Sequence, residues 1–100
     1  MSYSARDAVK MVEEYVALFG VNRSAWYAGI AKDPEQRLFS DHNVDKDKGQ
    51  WRWVRCLDEN HARVAEETLL NAGYKGGNGG GNHLTKYVYA YRITSATVEG

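Results

Sequence analysis

A small α/β domain is what this sequence predicts: a three-stranded, largely antiparallel sheet flanked by three helices, in the order α-β-α-β-α-β. Three observations lead there. Apolar residues recur at helical three- and four-residue spacing in two stretches that close on Gly20 and Gly73. Three other stretches are short, aromatic and strand-like, the clearest being KYVYAYRIT. Between the first two of these, Asp33-Pro34 gives a helix start, with Asp as N-cap and Pro at the first helical position. One hundred residues fit a single domain with a core of two or three layers.

The elements follow in order. In residues 7–18, Ala8, Met11, Val12, Tyr15, Val16 and Phe19 fall on one helical face, and Gly20 serves as C-cap. Residues 24–31, SAWYAGIA, read as a buried strand. The Asp33-Pro34 helix carries Glu35, Gln36, Arg37, Leu38 and Phe39 and fades near His42, before a polar turn, NVDKDKG. Residues 50–57, QWRWVRCL, place Trp51 and Trp53 on one strand face, with Arg52 and Arg55 as the polar positions. Asp58 or Asn60 caps a helix over residues 61–72. Residues 86–94 form the last strand, with Tyr87, Tyr89, Tyr91 and Ile93 on one face and Val88, Ala90 and Arg92 on the other. The tail from Ser95 is expected to be loose.

Composition excludes several classes. Apolar residues make up 43% and charged residues 26%, and the formal net charge is +0, so no overall basic coat speaks for nucleic acid; a local basic cleft remains open. The single Cys56 allows no internal disulfide and reads as a small buried filler. One cysteine and three scattered histidines make no zinc pattern. No apolar run approaches ~18 residues and no signal region leads the chain, so no membrane is expected and the cytoplasm is the expected compartment.

Two stretches carry candidate chemistry. In YAGIAKDPEQRLFSDH, Tyr27 and Gly29 sit on the strand and Arg37 lies about one turn inside the following helix. Gly29 permits close backbone approach, and an arginine fork suits phosphate. Equally, Arg37 could pair with Asp41 four residues on, and Tyr27 could simply pack. In ARVAEETLLNAG, Ala62, Ala65, Leu69 and Ala72 form a stripe with Glu66 beside it, while Glu67 points nearly the opposite way. A carboxylate at the edge of a buried face needs a cation or a donor. Glu66 could hold Mg²⁺ with water completing the shell, or pair with Arg63. The loop KGGNGGGN at residues 75–82 exposes glycine amides that can cradle an anion, but it ends in no Walker Lys-Ser/Thr and opens no helix after a strand. It reads as a close-packing or substrate-backbone loop, or as a flexible spacer. Trp51 and Trp53 could stack bases or pack under a helix.

Over residues 25–82 the chain resembles GIY-YIG nucleases. The resemblance rests on Tyr27 and Gly29 of the Tyr-x-Gly strand, on Arg37 of the first helix, on His42, and on Glu66 three residues before paired aliphatics. The family's Gly-Ile-Tyr strand is missing, and a helix stands in its place. The C-terminal strand KYVYAYRIT can fill that position as in a circular permutation, with Tyr87, Tyr89 or Tyr91 replacing the absent tyrosine; residues 87–93 must then lie beside residues 25–30. The resemblance implies a nucleic-acid phosphodiesterase of endonuclease type. Tyr27 or His42 activates water, Arg37 steadies the phosphate, and one Mg²⁺ on Glu66 neutralises developing charge. Gly29, Gly76, Gly77, Asn78, Gly79, Gly80, Arg52, Arg55 and Tyr89 are expected binding residues. Two other readings stand: a small phage or bacterial protein that docks on nucleic acid or on a protein machine without catalysis, and an assembly protein whose aromatics form a subunit interface.

Overall fold

The computed structural model describes residues 1–20, 22–77 and 84–99. It contains helix α1 (Ala5–Ala17), strand β1 (Trp26–Ala31), a π-helical segment (Gln36–Asp41), strand β2 (Trp51–Arg55), helix α2 (Glu59–Asn71) and strand β3 (Tyr87–Arg92). The fold is the expected small α/β domain with a three-stranded antiparallel sheet and three helices.

Helix ends follow local chemistry. α1 begins two residues before the expected start because Ser4 Oγ accepts from the Asp7 N–H at 3.2 Å. α2 begins after Asp58, whose carboxylate accepts from the His61 N–H at 2.9 Å. Asp58→Ala therefore costs about 1 kcal/mol, read as a lower urea midpoint with unchanged slope. The third helix starts at Pro34 as expected but widens: the His42 N–H donates to the Arg37 carbonyl, five residues back, at 2.9 Å. Such π turns are rare and gather at functional sites.

Strand order is β1-β3-β2, both pairings antiparallel, so the last strand in sequence is central. Gly29 lies opposite Tyr89 across β1 and β3, and Trp53 lies opposite Tyr89 across β2 and β3. Residues 87–92 therefore do lie beside residues 26–31. Central placement explains the composition of YVYAYR: Val88, Tyr89, Ala90 and Tyr91 are all 0% exposed.

The two sheet faces are covered differently. Trp26, Ala28, Ile30, Val54, Val88 and Ala90 pack under α1 and α2, against Ala8, Val12, Val16, Ala62, Ala65 and Leu69. Ala72, expected on that stripe, is exposed past the helix end. On the other face Tyr27, Ala31, Tyr89 and Tyr91 cluster with Leu38 and Val44, and Phe39, Trp51, Trp53 and Ile93 pack at the rim. Trp51 and Trp53 stack on each other at 5.1 Å and meet Phe39 of the π-helical segment, which matches packing under a helix.

The segment after α2 adds to the outer edge of β1. The Lys75 N–H donates to the Trp26 carbonyl and the Ala28 N–H to the Lys75 carbonyl, both at 2.8 Å. A Cβ on Gly76 would stand 2.5 Å from the Ala28 oxygen and 2.6 Å from Leu70 Cδ2, so the loop's first glycine is closely packed against β1. The expected binding residues Asn78, Gly79 and Gly80 lie outside the described residues.

The tail, expected loose, is tied down as far as Val98. The Val98 N–H donates to the His42 carbonyl at 2.8 Å, and Asn43 Nδ2 donates to the Ala96 carbonyl at 3.0 Å. Cys56 is fully buried, and burial pushes its thiol up to about 11. It should stay unmodified by a maleimide in native protein and react once urea unfolds the chain; native labelling within minutes would contradict this burial. Among the described residues, no helix is long and apolar enough to cross a membrane.

Candidate active site around Tyr89

Gly29 is where the site begins. A Cβ at this position would stand 2.6 Å from Tyr89 Oη and 2.7 Å from its Cζ. The close approach that Gly29 permits is thus to the Tyr89 ring in the cross-strand partner position, not to a ligand. Of the three tyrosines on β3, the one that lies opposite Gly29 is Tyr89.

Three expected site residues, His42, Tyr27 and Arg37, gather around this phenol. His42 Nε2 is 2.7 Å from Tyr89 Oη, and His42 Nδ1 is 2.6 Å from the Val98 carbonyl. Tyr27 stacks on Tyr91 with ring centroids 5.2 Å apart and lies 4.7 Å from His42 and 6.5 Å from Tyr89. Arg37 lies close enough to Tyr89 for the hydroxyl, and then Asp41 and Tyr27, to raise its pKa against the opposing effect of burial. Its Nε is buried with no hydrogen-bond partner among the described residues. The anticipated Arg37–Asp41 pair also forms, at 3.4 Å, with both side chains 42% exposed. At that exposure it contributes under ~1 kcal/mol.

Burial pushes the Tyr89 hydroxyl up to about 12, with the Arg37 charge pulling the other way. Burial likewise lowers the His42 pKa, aided by Arg37 and opposed by the Val98 carbonyl, Asp41 and Glu99. His42 is only 1% exposed, and both ring nitrogens are engaged, by the Val98 carbonyl and the Tyr89 hydroxyl. Its lowered folded pKa means that the unfolded chain binds the extra proton first. Stability is therefore full above the unfolded value of ~6.5 and declines as pH falls toward the folded pKa. His42→Gln should flatten that decline between pH 7 and 5 in urea titrations; an equal decline in both proteins would show that other groups cause it.

Glu66 is 6% exposed, as the helical wheel requires, and Glu67 is exposed. Burial raises the Glu66 pKa and Arg63 opposes it. Its helix covers the sheet face opposite Tyr27 and Tyr89. The Glu66 charge still acts at the Tyr89 hydroxyl, as the last contributor to its raised pKa. Tyrosines, arginine and histidine therefore form one cluster, and Glu66 lies outside it, in the helix layer on the other face of the sheet.

Beside Arg37 opens a cleft of about 340 Å³, lined by Ile30, Ala31, Lys32, Asp33, Gln36, Arg37 and Asp41. Lys32 was not singled out in the sequence, although its place at the strand end just before Asp33-Pro34 marks it. Arg52 and Arg55 form no joint basic surface: Arg52 lies opposite Ala90 and Arg55 opposite Tyr87, on alternate faces of β2. Gly77 has open space around its Cα. The chain matches no protein-family model, no curated protein and no solved structure.

Proposed function

We propose that this domain binds a nucleic-acid phosphodiester in the Arg37 cleft and hydrolyses it with Tyr89, in the manner of a permuted GIY-YIG nuclease. The observation that carries the reading is Arg37, whose buried Nε has no hydrogen-bond partner among the described residues and whose side chain lies between an open cleft and a tyrosine hydroxyl 2.7 Å from His42 Nε2. The Arg37 side chain is 42% exposed at the cleft, and the open part of its guanidinium can meet a phosphate oxygen with the planar match that arginine favours. Lys32 adds a second cation at the rim.

The residues divide the work. His42 takes or returns the Tyr89 proton, Arg37 steadies the phenolate and then the charge that grows on the phosphate, and Tyr27 fixes the ring stack. Burial first, then the Tyr27 and Glu66 charges, set Tyr89 against ionisation, and the Arg37 charge is the influence that opposes them. Mg²⁺ fits Glu66 in chemistry, since this hard cation takes one or two carboxylates and keeps its waters, and a cation would relieve a carboxylate that burial holds up. Held there, it would add positive charge from the α2 layer, across the sheet from the Arg37 cleft. A second reading, binding without cleavage, is favoured by the complete burial of Tyr89.

The test incubates labelled DNA and RNA with the protein, in Mg²⁺ or EDTA, beside Glu66→Gln and Tyr89→Phe. Cleavage lost with EDTA and in both variants supports hydrolysis. Salt-sensitive binding without cleavage supports the second reading. As an independent readout, Mg²⁺ should raise the melting temperature of the parent protein and leave Glu66→Gln unchanged; equal shifts would remove Glu66 as the ligand.

A further inference from the structure

The segment after β3 closes over His42. The Val98 carbonyl lies 2.6 Å from His42 Nδ1, the Val98 N–H donates back to the His42 carbonyl at 2.8 Å, and the Tyr91 hydroxyl sits between them, 3.1 Å from His42 Nδ1 and 3.2 Å from the Val98 carbonyl, to which it can donate while Nδ1 carries its own hydrogen. This two-way clasp joins one residue of the tail to one residue at the end of the π turn. A helix-ending histidine could have been held by packing alone. Here its ring is fixed at both nitrogens by groups more than forty residues away.

We propose that Val98 is a positioning residue: its carbonyl holds His42 in the Nδ1–H tautomer and so makes Nε2 the acceptor for the Tyr89 proton. A backbone carbonyl has no proton to give, so a nitrogen at 2.6 Å from it must be the one that carries hydrogen. In a neutral ring the other nitrogen is then bare, and at 2.7 Å it accepts from Tyr89 O–H. Burial, which lowers the His42 pKa, keeps the ring neutral at rest.

Proton transfer balances within this chain of groups. The Tyr89 O–H bond breaks as the His42 Nε2–H bond forms. The phenolate left behind faces Arg37, and the imidazolium charge is shared with the Val98 carbonyl. Arg37, Asp41 and Glu99 are the charged groups acting on the ring, and Tyr27, Tyr89 and Tyr91 are the rings packed on it. The catalytic meaning of the clasp rests on the phosphodiester reading; the tautomer does not.

The experiment is a long-range proton–nitrogen correlation spectrum of the histidine rings in the full chain, in Tyr89→Phe, and in a chain stopped after Thr97. The expected result is an Nδ1–H His42 ring in the full chain and in Tyr89→Phe, and an Nε2–H ring or a mixture in the shortened chain. An Nε2–H or doubly protonated His42 in the full chain overturns the proposal, as does a tautomer that switches in Tyr89→Phe or survives the loss of Val98. Should the shortened chain fail to fold, the first two spectra still decide. A protein that cleaves nothing yet shows this pattern refutes the hydrolysis reading and leaves the clasp standing.

Discussion

Replacing Arg37 by alanine is expected to lower phosphodiester cleavage by roughly 10²–10³-fold, the usual loss when one preorganised donor to developing charge is removed. Stability should move little. The ion pair with Asp41 is long at 3.4 Å and exposed on both sides, and such pairs contribute under ~1 kcal/mol. The substitution also removes a buried N–H that has no partner among the described residues, which offsets part of any packing loss. Arg37→Lys should recover little, because lysine keeps the charge and loses the planar fork. Cleavage rates read beside urea midpoints separate the two effects. A variant that falls in stability and activity together would make Arg37 a structural residue.

Gly29→Ala carries the second large effect. Alanine ordinarily suits a strand interior better than glycine does, so a loss here identifies a clash. The new Cβ would meet Tyr89 Oη at 2.6 Å and Cζ at 2.7 Å. The ring cannot swing aside, since it is 0% exposed and tied to His42. Overpacking of this kind costs about 1–3 kcal/mol, and it pushes the hydroxyl off His42 Nε2. Pairing Gly29→Ala with Tyr89→Phe removes the nearer contact and should return part of the loss, while the contact at Cζ keeps the rest. Urea denaturation of the two variants and Tyr89→Phe alone gives the coupling. A neutral Gly29→Ala would mean that the β1–β3 register differs from Gly29 opposite Tyr89.

Periodicity carried the sequence reading where side chains repeat against a face. The α2 stripe predicted a buried Glu66 and an exposed Glu67, and alternation placed Tyr89 and Tyr91 opposite Val88 and Ala90. Strand neighbours were harder, because nothing in KYVYAYRIT says which tyrosine meets Gly29; only the pairing register decides. Arg52 and Arg55 show the same limit. They look like neighbours in WRWVR, yet an odd spacing in a strand sends them to opposite faces. The tail was unreadable for another reason: its holds on His42 and Asn43 are made by the backbone of Val98 and Ala96, and backbone groups leave no residue-type signature. The widened turn at residues 36–41 likewise keeps its helical composition while moving Arg37 against Tyr89.

The claim that both functional readings share is that a phosphodiester seats against Arg37, and the Arg37 Nε–H resonance reports on it directly. Titrating the protein with a dinucleotide should shift that resonance, with Lys32 and the Tyr89 ring moving alongside, and raising the salt concentration should weaken the effect. An Nε–H signal that stays in place while the dinucleotide binds elsewhere, or while nothing binds, would contradict the account.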